Sequence, residues 1–374
     1  MFKIISKDKK TKARVGLLTT KKGVIETPFF MPVATKASVK HIPTEDLNEM
    51  KASAVISNSF ILHLRPGERI IKKMKGLGRF MNFSGINVTD SGGFQMYSDS
   101  LYIKSTEKGV FFKNPFSGEI VFVDPKKDMK IQLDLNSDIA MCLDSMPMLD
   151  KTKEEIAKAV ELTSRWAKIC KKEHNNFQKN IKKEKRQLLF GIIQGGLYGN
   201  LRKKSCHELL KIDFDGYSIG GLALGESLNE ELKVIEVCKS ILPENKVCYL
   251  MGEGHPLNML EAIKRGVDMF DSRYPTQNGR RGTLFTSTGK IKILNKKYET
   301  DKRPLDKNCE CKVCKNYTRA YIRQQLKEET GVGMNLASYH NLYFLINLIE
   351  EAKIAIKEGK FDKFLREFKR AWRE

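Results

Sequence analysis

The chain has 374 residues, of which 41% are hydrophobic, so it can bury one large core or two moderate ones. No apolar run approaches the roughly 20 residues that a membrane-spanning helix needs, and residues 1–14 alternate lysine with short apolar residues instead of forming a signal peptide. These features exclude membrane-spanning and secreted classes and predict a cytoplasmic protein. The formal net charge of +22 favours a polyanionic partner, most simply nucleic acid, although a lysine-rich proteome would give the same bias.

Eight short β-rich runs follow one another along the chain, with helical segments between most of them. The runs lie at 28–34, 54–60, 86–90, 139–144, 188–194, 216–221, 247–252 and 269–271. Apolar residues recur at helical spacing in 152–172, 229–241 and 258–266. Strands that alternate with helices predict a parallel sheet, and eight such units predict an α/β fold of the (β/α)₈ TIM-barrel type.

Polar or glycine residues stand at the same end of most of these strands. They are Asn58, Asp90, Asp144, Gln194, Gly220, Gly221, Gly252 and Asp271. The active site of a barrel enzyme is built on that rim. An open doubly wound sheet is the alternative, but no Gly-x-Gly-x-x-Gly fingerprint follows the first strand. The ring of polar strand ends therefore favours the barrel.

Two of the strand ends carry carboxylates in suggestive settings. Asp90 opens the run Asp-Ser-Gly-Gly, where glycine lets a ligand approach the backbone closely, although the same residue types also form simple turns. Asp271 precedes a stretch with three arginines, which suits contact with phosphate. Two facing aspartates fit glycosidic-bond chemistry, because one can attack the sugar carbon while the other moves protons. With a nucleic acid as substrate, the bond would be the N-glycosidic bond of a base.

Two insertions interrupt the barrel pattern. The segment 99–124 contains a hairpin-like run and predicts a small antiparallel insertion over the barrel mouth. A longer insertion follows the eighth strand and precedes terminal helices, which we expect at 342–357 and 361–372. We therefore expect one catalytic TIM-barrel domain over 1–374, with a zinc-binding subdomain at 295–345.

The late insertion contains a candidate metal site. Cys309, Cys311 and Cys314 place three thiols in six residues, and His340 lies 26 residues beyond Cys314. Cys₃His is a closed tetrahedral ligand set that favours Zn²⁺ and leaves no position for a substrate. Chance crowding of cysteines and a helix-start role for His340 are the alternatives. The pattern predicts one structural zinc ion per subunit.

Ordered motifs extend along the whole chain. They are Thr-Asp-Ser-Gly-Gly-Phe-Gln at 89–95, Gly-Ile-Ile-Gln-Gly-Gly at 191–196, Ile-Gly-Gly-Leu-Ala at 219–223, Tyr-Leu-Met-Gly at 249–252, Met-Phe-Asp-Ser at 269–272 and the Cys-x-Cys-x₂-Cys…His set. With these motifs the chain resembles the queuine tRNA-ribosyltransferases, also called tRNA-guanine transglycosylases. The spacing from Cys314 to His340 resembles the bacterial and eukaryotic branch, and we expect the bacterial type.

The resemblance implies a glycosyltransferase (a pentosyltransferase) that exchanges the wobble guanine of GUN-anticodon tRNAs for 7-aminomethyl-7-deazaguanine in queuosine biosynthesis. It implies that Asp271 is the nucleophile that attacks ribose C1′ and forms a covalent intermediate. Asp90 would be the general acid/base that also holds the base. The residues implied to bind the base are Asp90, Ser91, Gly92, Gly93, Phe94, Asp144, Gln194, Gly221 and Met251.

Two groups of these residues have distinct implied roles. Asp144, Gln194 and Gly221 would read the edge of the purine, while Phe94 and Met251 would sandwich its ring. The residues implied to contact the tRNA anticodon loop are Gly252, Glu253, Gly254, His255, Pro256, Leu257, Asn258, Thr276, Gln277, Asn278, Gly279 and Arg280. The family also implies a homodimer, in which one subunit catalyses while the other helps to support the tRNA.

Several residues depart from the pattern of the family, among them Met146, Leu224 and Gln277. Met146 and Leu224 stand where the pocket receives the 7-substituent, and the bulk of Leu224 argues against the cyclopentenediol of queuine, whereas flexible Met146 could move aside. Gln277 stands where relatives commonly carry arginine. The alternatives are direct salvage of queuine, base exchange into DNA by the same chemistry, and a non-catalytic tRNA-binding partner subunit. Retention of Asp90 and Asp271 argues against the last.

Overall fold

The computed structural model describes residues 2–92, 101–147 and 150–373. Its strands are β1 (Phe2–Lys7), β2 (Arg14–Thr20), β3 (Gly23–Thr27), β4 (Phe29–Pro32), β5 (Ala54–Asn58), β6 (Ile86–Asp90), β7 (Tyr102–Thr106), β8 (Gly109–Lys113), β9 (Ile120–Val123), β10 (Ile139–Met141), β11 (Leu188–Ile193), β12 (Gly216–Ile219), β13 (Val247–Leu250), β14 (Met269–Ser272), β15 (Thr283–Thr286) and β16 (Gly289–Lys292).

The helices of the described residues follow in the same way. They are α1 (Thr44–Glu49), α2 (Ser59–Leu64), α3 (Glu68–Lys73), α4 (Leu77–Met81), α5 (Pro125–Asp134), α6 (Lys153–Phe177), α7 (Gly199–Leu210), α8 (Leu228–Lys239), α9 (Pro256–Lys264), α10 (Tyr274–Arg280), α11 (Lys312–Asn316), α12 (Arg319–Lys327), α13 (Gly331–Lys357) and α14 (Phe361–Ala371). None of these helices is both long enough and apolar enough to span a bilayer.

Eight parallel strands form the predicted barrel. Their order around the sheet is β4-β14-β13-β12-β11-β10-β6-β5. A parallel bridge between Val33 and Ile56 joins the two ends, and the Ala34 N–H donates to the Ile56 carbonyl at 2.7 Å. The sheet therefore closes, and the open doubly wound alternative is excluded.

Side chains that alternate along these strands fill the barrel. Ile86 and Val88 of β6 belong to the same buried cluster as Phe190 and Ile192 of β11. Because side chains of a strand alternate between its two faces, the next inward position on β6 is Asp90. The apolar filling of the barrel thus gives way to polar groups at the carboxyl ends of the strands, where the sequence predicts the active site.

The antiparallel sheet β1-β2-β3, which the sequence analysis did not predict, packs on the barrel. Phe2, Leu18 and Ile25 join the cluster of barrel-filling side chains. The guanidinium of Arg14 forms a buried ion pair with Asp268, which precedes β14, at Nε–Oδ1 and Nη2–Oδ2 distances of 2.9 and 2.6 Å. Paired hydrogen bonds of this geometry fix both partners. This sheet is therefore anchored to the barrel by both packing and charge.

The predicted insertion between the third and fourth barrel strands is confirmed as the antiparallel sheet β7-β8-β9. Phe112 of β8 packs edge-on against Phe60 of α2, with ring centroids 3.9 Å apart. Trp166 of α6 donates its indole N–H to the carbonyl of Glu107 at 3.0 Å. The insertion is therefore held by helices on both sides.

One expectation about the C-terminal part was wrong. The long helix α13 begins at Gly331 and not at 342, because Thr330 caps it by accepting the Gly333 N–H at 2.9 Å, and the early glycines conceal the helix in the sequence. The segment 276–280 is helical and belongs to α10, which starts with Pro275 in its first turn, where proline is tolerated. The final helix, α14, is confirmed.

Candidate active site

A cavity of about 660 Å³ opens at the carboxyl ends of the barrel strands. Among the residues that the sequence predicts for the site, its walls include Asp90, Asp144, Gln194, Met251 and Asp271. A cavity of this size suits a ligand of the order of a nucleotide. The fold therefore brings residues from five different strand ends into one site.

Asp271 is held firmly through one of its two oxygens. Its Oδ1 accepts the phenol of Tyr249 at 2.5 Å and the backbone N–H of Gly252 at 3.0 Å. Burial raises the pKa of Asp271, while these two hydrogen bonds and the charge of Arg273 oppose the rise. No group in the described residues donates to Oδ2. One oxygen is thus fixed, and the other remains available to an electrophile in the cavity.

Asp90 has a different electrostatic environment. Its Oδ1 accepts the N–H of Gly92 at 3.0 Å, and the N–H of Ser59 also donates to the carboxyl group. Burial, followed by the nearby charges of Asp271 and Asp144, raises the pKa of Asp90 to about 8. Asp90 is therefore largely protonated at neutral pH and can act as a general acid, whereas the hydrogen bonds at Asp271 favour the ionised form. The two carboxyl groups are differentiated by their surroundings.

A third carboxyl group belongs to a recognition cluster. Gln194 Nε2 donates to Asp144 Oδ2 at 2.7 Å, and Ser91 Oγ approaches Asp144 Oδ1 at 3.4 Å. Burial raises the pKa of Asp144 to about 6, against the effect of both hydrogen bonds. The Oε1 of Gln194 is buried and accepts no hydrogen bond from the described residues. This cluster presents acceptors that match the N–H groups along the edge of a guanine-like base.

Gly221 sits against this cluster in a conformation that favours glycine. Its φ is +66°, and a Cβ at this position would lie 2.6 Å from Gln194 Oε1. A side chain at 221 would therefore displace the amide of Gln194. Ser91 and Gly92 are buried beside Asp90, and Met251 forms part of the cavity wall. The predicted base-binding residues Gly93 and Phe94 lie outside the described residues.

Several lining residues were not singled out from the sequence. Tyr249 belongs to the motif Tyr-Leu-Met-Gly at 249–252, but the sequence did not indicate a separate role for it. Glu226 accepts the backbone N–H groups of Ala223 and Leu224 at 2.5 and 2.9 Å, and thereby shapes the loop after β12. No motif in the sequence indicates this capping role. Leu224, Met146 and Gln277, which the sequence analysis named as departures from the family pattern, line the same cavity.

The stretch 252–258, predicted to contact RNA, is only partly accessible. Glu253, Gly254 and Pro256 are buried, whereas Gly252 is exposed and His255, Leu257 and Asn258 are partly exposed. The exposed members of this stretch are the ones that can reach a macromolecular ligand through their side chains or backbone. Their proposed contacts with RNA stay predictions.

The second predicted RNA-contacting stretch lies on α10. Gln277, Asn278 and Arg280 are partly exposed, but Thr276 and Gly279 are buried. A Cβ on Gly279 would lie 2.7 Å from the carbonyl oxygen of Ala337 in α13. Gly279 therefore allows α10 and α13 to pack closely. Side chains of α10 can contact RNA only from the face opposite to α13.

Cations gather beside this helix. Arg273 and Arg281 are exposed, and their charges, together with burial, lower the pKa of Arg280. The ammonium group of Lys290 lies over the ring of Trp372, 5.4 Å from its centroid, and Lys290 also lines the cavity. Like charges held this close are relieved by a bound anion. The mouth of the cavity is thus suited to a phosphate-bearing ligand.

The predicted metal ligands converge. The ligand atoms of Cys309, Cys311, Cys314 and His340 all lie within 4.8 Å of one another, and His340 Nδ1 lies 3.9, 3.5 and 3.4 Å from the three sulfurs in that order. A tetrahedron with metal–ligand bonds of about 2.0–2.3 Å has edges of roughly 3.3–3.8 Å, close to these separations. The group can therefore hold one metal ion.

Hydrogen bonds connect this group with the rim. His340 Nε2 donates to the Phe285 carbonyl at 2.6 Å, which leaves Nδ1 to face the sulfurs. The neighbouring Asn341 accepts the Phe285 N–H at 2.9 Å and donates to the carbonyl of Pro275 at 2.9 Å. Since Pro275 lies in the first turn of α10, shortly after Asp271, the Cys₃His group and its neighbour Asn341 support the segment that follows the candidate nucleophile.

Comparison with known proteins gives a consistent result. The family profile described as queuine tRNA-ribosyltransferase matches residues 8–374. A protein named queuine tRNA-ribosyltransferase from Lysinibacillus sphaericus is 45% identical over 367 residues, covering 98% of this chain and 94% of the relative. Proteins of the same name from Halothermothrix orenii and Enterococcus faecalis are 44% and 45% identical, covering 99% and 98% of this chain and 97% and 94% of those relatives.

Proposed function

Because the chain belongs to the queuine tRNA-ribosyltransferase family, and is therefore a pentosyltransferase of tRNA modification, we propose the specific reaction that its cavity performs. The enzyme exchanges the wobble guanine of GUN-anticodon tRNAs for 7-aminomethyl-7-deazaguanine, a step of queuosine biosynthesis. The observation that carries the proposal is the pair of differentiated carboxyl groups, Asp90 and Asp271, in one cavity with a guanine-reading cluster.

The first half of the reaction releases guanine. Asp271 Oδ2, which accepts no hydrogen bond from the described residues, attacks ribose C1′ as the C1′–N9 bond breaks and its electron pair leaves with the base. Asp90, protonated at neutral pH, supplies a proton to the departing guanine. The product is a covalent ester between Asp271 and the ribose of the tRNA.

The second half reverses the roles. The incoming 7-deazaguanine gives up its N9 proton to Asp90 as N9 attacks C1′, and the Asp271 carboxylate leaves. Two displacements at the same carbon retain the sugar configuration. Asp144, Gln194 and Gly221 read the purine edge in both halves, and Met251 packs on its ring together with Phe94.

The anticodon loop reaches this cavity past the arginine-rich mouth. A flexible loop base is extruded at low cost, and the proposed contacts come from the accessible members of 252–258 and 276–280. We propose a homodimer with one subunit catalysing while the other supports the tRNA, and a cytoplasmic location, since mature tRNA is the substrate.

We propose that the metal is Zn²⁺, because three thiolates and one imidazole form the donor set that this ion prefers. When bound, it would lock the Cys₃His group and take no part in chemistry, as all four positions are protein ligands. The subdomain around it, proposed at 295–345, relies on Phe285 outside those bounds for the orientation of His340.

Exchange of labelled guanine into a tRNA transcript with a GUN anticodon tests the activity. The wild-type protein should incorporate the label and form an RNA adduct that survives denaturation, whereas Asp271→Ala should form none. Lack of incorporation by the wild type would refute base exchange. An adduct that persists in Asp271→Ala would assign the nucleophile elsewhere.

A further inference from the structure

A second pair of carboxyl groups lines the same cavity. Glu231 stands in the first turn of α8, and Glu253 follows β13. The two side chains are 3% and 5% exposed, and no lysine or arginine forms an ion pair with either one in the described part of the chain. The base-exchange steps do not use these groups.

The two carboxyl groups have unequal hydrogen bonding. Glu253 accepts the backbone N–H of His255 at 2.5 Å and the side-chain amide of Asn258 at 3.0 Å. Glu231 shares a hydrogen bond with Glu253, and its buried Oε1 receives no N–H or O–H donor from the described residues. One buried acceptor atom of a pair that lines the cavity therefore has no donor from the described residues.

The charges around the pair indicate how many protons it holds. Burial and the charges of Glu253 and Glu226 raise the pKa of Glu231 to about 9, and burial also raises the pKa of Glu253 against its hydrogen bonds from His255 and Asn258. Two carboxyl groups can share a hydrogen bond only if one of them carries the proton, so Glu231 holds a proton at neutral pH and donates it to Glu253.

Burying such a pair costs free energy. Its acidic character is also opposite in sign to the net positive charge of the molecule. Apolar side chains of similar size would be at least as stable in its place. The mouth of the cavity is cationic, so an acidic inner wall repels phosphate and selects a ligand group that is positively charged and donates hydrogen bonds. Glu226, Leu224 and Met146 line the same cavity, and the last two stand where the family pattern places the 7-substituent.

We propose that Glu231 and Glu253 form an acidic subsite that binds the ammonium group of the 7-substituent of the incoming base. This inference rests on the proposed base exchange and adds the residues that select an amine-bearing base over a neutral one. The exchange chemistry remains with Asp90 and Asp271, and the acidic subsite determines which base is accepted in the second half of the reaction.

The test compares bases that differ in charge at the same position. We would measure kcat/KM for 7-aminomethyl-7-deazaguanine and for neutral 7-cyano-7-deazaguanine, with the same tRNA, in the wild type and in Glu231→Gln/Glu253→Gln. The preference for the amine over the nitrile should fall at least about tenfold, the effect of losing one charge-assisted hydrogen bond. Glu154→Gln, which removes an exposed carboxylate from α6, should leave this ratio unchanged.

Binding of the free bases, without RNA, gives an independent measurement. Calorimetry in buffers of different ionisation enthalpy should show that the amine base releases a proton from the wild type and releases less from Glu231→Gln, because the bound cation favours the doubly ionised pair. Glu231→Met serves the same purpose if the glutamine variant fails to fold.

Three results would overturn the inference. They are an unchanged amine preference in the folded double variant, an equal loss in Glu154→Gln, and a variant that alters only the KM for tRNA, which would assign the pair to an amino group of the anticodon loop. Failure of the wild type to exchange guanine would refute the proposed reaction instead, and calorimetry with the free bases would still decide whether the acidic subsite binds the amine.

Discussion

The polar side chains of the barrel rim and those of the Cys₃His group differ in how they affect the stability of the fold. At the rim, desolvation raises the pKa values of Asp90 and Asp144 to about 8 and about 6, which means that the fold disfavours their charge. At the metal centre, His340 Nε2 is satisfied by a backbone carbonyl and the other ligand atoms face one another. The rim therefore retains polar groups at a cost to stability, whereas the metal centre contributes to stability.

Replacement of the candidate nucleophile should separate activity from stability. In Asp271→Asn, we expect kcat/KM for guanine exchange to fall by at least about 10³-fold, or roughly 4 kcal/mol of barrier. The melting temperature should not fall, because the amide oxygen still accepts from Tyr249 and Gly252 without a buried charge. Exchange assays and thermal unfolding measure the two effects. A clear drop in melting temperature would show that the rim carboxylate stabilises the fold.

Removal of a metal ligand should lower the stability of the protein, in contrast to the replacement of Asp271. Cys314→Ser should lower the metal content from one ion per subunit to near zero and cost about 3 kcal/mol of stability, because ligand loss abolishes the binding free energy that accompanies folding. Elemental analysis and thermal unfolding test both effects. The matched control is Cys206→Ala, a buried cysteine remote from the ligand set, which should keep its metal. Full metal content in Cys314→Ser would remove this residue from the ligand set.

The pH dependence of stability should show the cost of placing Asp90 at the barrel rim. Its pKa is raised from 3.8 to about 8 in the folded state, so the folded protein binds a proton that the unfolded chain has lost between those values. Stability from this group is therefore present below pH 4 and declines as the pH rises towards 8. Asp90→Asn should consequently raise the melting temperature more at pH 8 than at pH 4, measured against the wild type.

The pH dependence of activity should also report the protonation state of Asp90. Because protonated Asp90 serves as the acid, single-turnover release of guanine should decrease as the pH rises through about 8, and Asp90→Asn should lose that limb along with most of the rate. A stability difference that shrinks with rising pH would contradict the protonation state assigned to Asp90.

Much of the rim was predictable because it depends on local periodicity. Alternation along β6 and β14 places Asp90 and Asp271 on the inner face at the strand ends, and both positions are visible in the sequence. The three cysteines were predictable from spacing alone. His340 was a weaker expectation, since it comes from the middle of α13, whose start the sequence concealed behind Gly331 and Gly333.

The remainder depends on contacts between distant segments. Glu231 and Glu253 come from different elements and share no motif, so only the closed barrel brings them together in one cavity. The sheet β1-β2-β3 escaped prediction because β1 exposes one face and carries Lys3 and Lys7, while glycines and threonines interrupt the apolar runs of β2 and β3, which weakens the hydrophobic signal. Gly279 was implied to contact RNA, whereas its lack of a side chain is required for packing against α13.

The helix α10 connects the two regions, and its exposed face offers the smallest predicted effect. Gln277 is partly exposed beside the cationic mouth. Gln277→Arg should tighten tRNA binding a few-fold and steepen the dependence of log Kd on log salt by about 0.7–0.9, as expected for one added phosphate contact. Titrations over a range of salt concentrations measure the slope, and Lys327→Gln on α12 is a control distant in sequence that should leave it unchanged. An unaltered slope in Gln277→Arg would place the RNA backbone away from α10, and the arginines of the mouth would then need another anionic ligand.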